Sequence, residues 1–211
     1  MKYALHKTLF LLTLLFSMSN THSQPPQKDY APNWKKVEDF IKKNLPASAL
    51  QEVKSIYTLA KKEKQEAQVV KSLLYMTTLQ SETREENEAL SIRDIEKEIS
   101  SSTGATRALL QSMLAGIYQG YFQRQRWQIY SRTNTINFVK EDVATWTADD
   151  FHRQITSLYL ASLEDEKALQ KTLLKPYDAI ILKGNMRHLR PTLFDMLAHE
   201  ALAYFGSTER D

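Results

Sequence analysis

The chain has 211 residues, 42% of them hydrophobic and 25% charged, with a net charge of +3 and no cysteine. That balance suits one sizeable globular core, and the missing cysteines exclude disulfides, thiol chemistry and a cysteine-linked lipid anchor. The charge falls by two if a leader carrying Lys2 and Lys7 is removed, so the electrostatic footprint of a nucleic-acid binder is missing.

Only five glycines and six prolines interrupt the chain, which favours helices over many short strands. Lys2, His6 and Lys7 precede an apolar run, "TLFLLTLLF" (8–16), and small and polar residues follow it in "SMSNTHSQ" (17–24). This is the order of parts of a signal peptide, assigned to residues 1–23. The run is far shorter than the ~20 residues of a membrane-spanning helix. The expectation is therefore export to a periplasm or cell surface, with no integral membrane span left after removal of the leader. Residues 24–33 read as a linker and 34–211 as a single helical domain.

Helical spacing dominates from Trp34 onward. Trp34, Val37, Phe40 and Ile41 share one face of a first helix, with Asn33 placed as its N-cap. Pro46 suits the first turn of a second helix, where Leu50, Val53, Tyr57 and Ala60 recur. "KKEKQE" (61–66) reads as a solvated turn. A third helix carries Val70, Leu73, Leu74 and Thr77, and a fourth, acidic at its start, carries Ala89, Ile92, Ile95 and Ile99. After "SSSTG" (100–104) a fifth helix turns Leu110, Met113, Leu114, Ile117 and Tyr121 inward, and Gly116 and Gly120 would admit a close neighbour.

Periodicity is lost around 131–147, where "INFV" reads as a brief extended piece. Thr147 and Asp150 form a capping-box pattern ahead of Phe151, Ile155, Leu158 and Tyr159. Pro176 breaks the chain after Leu174, and "YDAIILKG" reads as a turn or two of helix stopped by Gly184. Pro191 opens and Gly206 closes a last helix bearing Leu193, Leu197, Ala201 and Tyr204. The fold class is all-α: seven or eight helices in antiparallel hairpins, a degenerate tetratricopeptide-like array without the 34-residue signature.

The sequence offers no catalytic, metal-binding or cofactor-binding residue. "HE" at 199–200 would need a second histidine four residues after the first to hold zinc, and that position is Ala203. His22, His152 and His188 lack ligand spacing. Asp195 lies one turn before His199, a spacing read as a structural hydrogen bond. No GxSxG elbow and no phosphate-binding glycine loop occurs. The lysines of 35–64 and the glutamates of 82–98 are read as solvated helix faces that would also suit docking to another domain.

"YQGYFQRQRWQIYSRTN" (118–134) mixes rings with arginines. A stacking surface for nucleic acid and a sugar platform are the alternatives to an ordinary helix end. The helix end is preferred, with Tyr121, Trp127 and Tyr130 as buried anchors beside Trp34, Trp146 and Pro191.

Four stretches resemble the N-terminal helical region of large alpha-2-macroglobulin-like proteins exported by Bacteroidota-type bacteria. They are 34–75, "GIYQGYFQRQRWQIYSRT" (116–133), "DVATWTADDF" (142–151) and "RPTLFDMLAHEALAYF" (190–205). The resemblance implies a non-catalytic scaffold or interaction module whose partners are proteins, either following macroglobulin-type β-sandwich domains or an envelope protein. The family's bait region and thioester have no counterpart here, since a thioester needs a cysteine, and the chain looks like the leading module alone. A stand-alone helical adaptor that binds a peptide or envelope protein is the alternative. No nucleic-acid partner and no cofactor is expected.

Overall fold

The structure, a computed structural model, describes residues 29–83, 87–131, 142–178, 180–181 and 187–207. Among these it is all-helical: α1 (Ala31–Lys42), α2 (Pro46–Lys62), α3 (Glu66–Thr83), α4 (Asn87–Ser101), α5 (Gly104–Arg124), α6 (Arg126–Tyr130), α7 (Ala148–Ser162), α8 (Glu166–Lys171) and α9 (Leu193–Phe205). Three single 3-10 turns, Val143–Thr145, Lys175–Tyr177 and Arg187–Leu189, join them.

The first two helices stop in the same way. Asn44 and Lys64 adopt left-handed backbone, with φ of 55° and 54°. The amide of Leu45 then donates to the Phe40 carbonyl and that of Gln65 to the Ala60 carbonyl. These are the bonds of a Schellman stop, made here without glycine. The three-residue turn after α2 folds α3 back along it. Small residues, Ala49 and Ala60, lie fully buried on α2 with Val53 and Ile56. Of the four expected inward residues Val53 and Ala60 are buried, while Leu50 and Tyr57 are only partly covered and their neighbours Ala49 and Ile56 are buried in their place. Tyr57 spends its position on its hydroxyl, which donates to the Glu98 carboxylate at 2.6 Å.

The first helix begins earlier than expected. Ala31–Asn33 are helical, not linker, and Tyr30 is buried. Pro32 costs nothing in a first turn, whose amides have no partner within the helix, and the Asp29 carboxylate accepts the Ala31 amide at 2.9 Å. Asn33 is therefore inside the helix, not its N-cap; its side-chain amide donates to Glu52 instead. Residues 24–28 of the expected linker, the leader 1–23, "INFV", Ala89's side chain and Gly184 lie outside the described residues.

α5 is the hub. It packs against α3, α4, α7, α8 and α9, so it buries most of its circumference, including Leu110, Leu114, Tyr118 and Phe122. Met113, Ile117 and Tyr121, expected inside, are half-buried. Gly116 and Gly120 admit no neighbour. A Cβ at Gly116 would meet nothing within 4 Å, and one at Gly120 only the chain's own Arg124.

The C-terminal elements close over α5. A second core cluster of Ala108, Leu109, Leu169, Leu174, Tyr177, Leu193 and Leu197 lies under α8 and α9. Both long C-terminal helices open on capping boxes: Thr147 with Asp150, and Thr192 with Asp195. The second displaces Pro191 from the helix start. Pro191 is exposed, one residue before the cap, in the extended stretch where Leu173 and Thr192 form an isolated antiparallel bridge.

Candidate interaction surface

Six residues were expected to anchor the fold, and the structure separates them. Trp34 and Trp146 are buried. Trp34 donates its indole N–H to Gln68 at 2.7 Å, tilts against Tyr75 at 4.8 Å, and lies 4.1 Å beneath the Lys71 ammonium. Burial lowers the Lys71 pKa, against the pull of Glu38. Trp146 stacks on Tyr118 at 5.0 Å and meets Phe151 at 5.2 Å. Phe151 also stacks on the half-buried Tyr121 at 5.5 Å and touches Phe122. Around the corner, His152 shares a 2.8 Å hydrogen bond with Tyr204, and Tyr204 packs on Tyr159. Burial first, then Glu200 and Tyr204, pushes the Tyr159 phenol up to about 12.

Trp127 and Tyr130 are not buried plugs. Trp127 is 90% exposed and Tyr130 50%. The reason is helical phase. Gln125 bends the chain between α5 and α6, and its amide still donates to the Tyr121 carbonyl at 3.0 Å. α6 then turns Ile129 into the core, continuing the line of Phe122 one heptad on. Trp127, two residues before Ile129, falls roughly 200° away, on the opposite face. Tyr130 keeps one edge against Phe122 at 5.7 Å and offers its face to Arg126, whose guanidinium carbon lies 5.6 Å from the ring centre.

Among the described residues, the charge blocks meet at Glu98. Glu98, 5% exposed, accepts from Tyr57 and from Lys61, each at 2.6 Å. The expected solvated turn is thus tied down: Lys61 to Glu98, Glu63 by the Tyr30 hydroxyl, and Glu66 by the Thr106 hydroxyl. The Asp195 carboxylate is taken up by the Thr192 amide and hydroxyl at 3.0 and 2.6 Å. His199, one turn further along that helix, is exposed, and the expected Asp195–His199 hydrogen bond is not made.

Leu160, Leu173, Leu189 and Leu202 are exposed on or beside α7, α8 and α9. An open concavity runs between α1 and α3, lined by Tyr30, Trp34, Lys35, Glu38, Gln68 and Lys71 among others. Among the described residues, no helix is long and apolar enough to cross a membrane, and no three His, Asp or Glu side chains are placed to hold a metal ion.

The molecule is thus an all-helical array of hairpins with several exposed apolar side chains. No family model, curated protein or solved structure matches it.

Proposed function

We propose that the chain is a non-catalytic helical scaffold, the N-terminal module of an exported alpha-2-macroglobulin-like protein, which packs against a following domain or an envelope partner. The observation that supports this reading is Leu202. It is 67% exposed on the terminal helix α9, with Leu160, Leu173 and Leu189 exposed on neighbouring elements. An outermost helix of a free-standing array is expected to be polar on its outer face, whereas large apolar side chains left in water mark a surface that another protein covers.

The coding frame beyond Asp211 supplies the test. It should encode β-sandwich repeats, and those repeats made as a separate chain should bind this one. Leu202→Glu with Leu160→Glu should then weaken binding about tenfold or more. A frame without such repeats, or binding indifferent to both substitutions, discards the reading. The alternative, a stand-alone adaptor, is favoured by the aromatic and polar lining of the concavity beside Trp34. A partner lost on Lys71→Glu but kept on Leu202→Glu would move the assignment there.

A further inference from the structure

The buried Trp34 forces the orientation of a neighbouring amide. An indole N–H can only donate, so the side-chain oxygen of Gln68, 2.7 Å away, must face it. The amide hydrogens of Gln68 then point elsewhere, and among the described residues no acceptor takes them. Lys71 follows one turn later on α3. Its ammonium lies over the Trp34 and Tyr75 rings, at 4.1 and 5.7 Å. Among the described residues it has no hydrogen-bond acceptor and no carboxylate within ion-pair distance. Burial disfavours its charge, and Glu38 supports it only from a distance. Both side chains line the open concavity between α1 and α3. Two sets of unspent donors thus sit side by side on one wall of a cleft of about 830 Å³, the size of a small-ligand site.

We propose that this cleft takes a carboxylate, carried by a peptide: the Lys71 ammonium and the Gln68 amide donate to its oxygens, and the Trp34 indole holds the Gln68 amide in place. A charge-assisted hydrogen bond is the strong kind, and a carboxylate gives Lys71 the partner that the rings do not. The rim also carries the carboxylates of Asp29 and Glu38, which repel a doubly charged phosphate more than a singly charged carboxylate. The proposal names the ligand chemistry of the concavity on which the adaptor alternative rests, and it is independent of the leucines on α7–α9.

The test uses the full chain labelled with nitrogen-15 and reads the indole N–H resonances of its three tryptophans. The probes are acetyl-alanyl-leucine with a free carboxylate, the same peptide as its amide, acetyl-glutamate amide, and sodium phosphate. The free acid should move the Trp34 resonance saturably and leave that of Trp146 in place, and the amide should do neither. A matching response to acetyl-glutamate amide assigns the site to any peptide carboxylate, and its absence assigns it to a chain end. Lys71→Met keeps the stem over the rings and should weaken binding about tenfold or more. Gln68→Glu keeps an acceptor for the indole, removes the donors, and should abolish binding. Glu38→Gln removes the competing charge and should strengthen binding. An unsaturable response, equal binding of acid and amide, phosphate binding as tight as the acid, or binding unchanged by Lys71→Met overturns the proposal. A protein partner lost on Lys71→Glu while both carboxylate probes fail to bind overturns it too, and leaves the adaptor alternative standing.

Discussion

The α2–α3 hairpin and the α5–α6 segment are built from similar materials and use them differently. In the hairpin, each helix has one covered face, and aliphatic spacing tells which residues lie inside to within one position. α5 is surrounded by five other helices, so nearly every side chain is covered and spacing alone cannot pick a stripe. At its end the enclosure stops within a few residues, and ring content becomes a poor guide. Phe122 and Trp127 are both large aromatics five residues apart, one buried and one 90% exposed. Helical phase decides between them, and side-chain chemistry does not.

That contrast breaks first at the aromatic end of the core. Phe151 is fully buried against Tyr118, Tyr121, Phe122 and Trp146, so Phe151→Ala should cost about 3–5 kcal/mol in urea unfolding. Trp127→Ala, the same kind of truncation on the exposed face, should cost less than about 0.5 kcal/mol. Equal losses would erase the distinction. In the hairpin half, Glu98→Ala removes the acceptor shared by Tyr57 and Lys61. A stability loss of about 1–3 kcal/mol is expected there, measured beside Tyr57→Phe to separate the two bonds. The smallest effect has the opposite sign. Gly116 sits mid-helix on an exposed face with open space around it, so Gly116→Ala should raise stability by up to about 1 kcal/mol. A loss would mean that a neighbour does approach α5 there.

Much of the fold was legible because it rests on local rules. Pro46 in a first turn, the Thr147–Asp150 box and the inward line Phe151, Ile155, Leu158, Tyr159 all follow from spacing and capping chemistry, and all are present. The second box was in the sequence as well. Thr192 and Asp195 have the same spacing, but Asp195 is also one turn from His199 and Pro191 is also a suitable helix start, so the local pattern there is ambiguous. The exposed side of α6 was less legible. Trp127 lies off the line that joins Phe122 to Ile129, and that line is visible only once Phe122, and not Tyr121, is known to face inward. Glu98 could not have been singled out among its neighbouring glutamates. Its burial depends on Tyr57 and Lys61, which lie 41 and 37 residues away in the chain.

The orientation of Trp127 carries the account, and acrylamide quenching of the folded full chain tests it most directly. One of the three tryptophans should be freely quenched and two protected, and Trp127→Phe should remove the quenched component while leaving the melting temperature in place. If Trp127→Phe instead lowers the melting temperature sharply and the remaining emission is quenched as before, Trp127 is a core residue after all, and the phase argument is wrong.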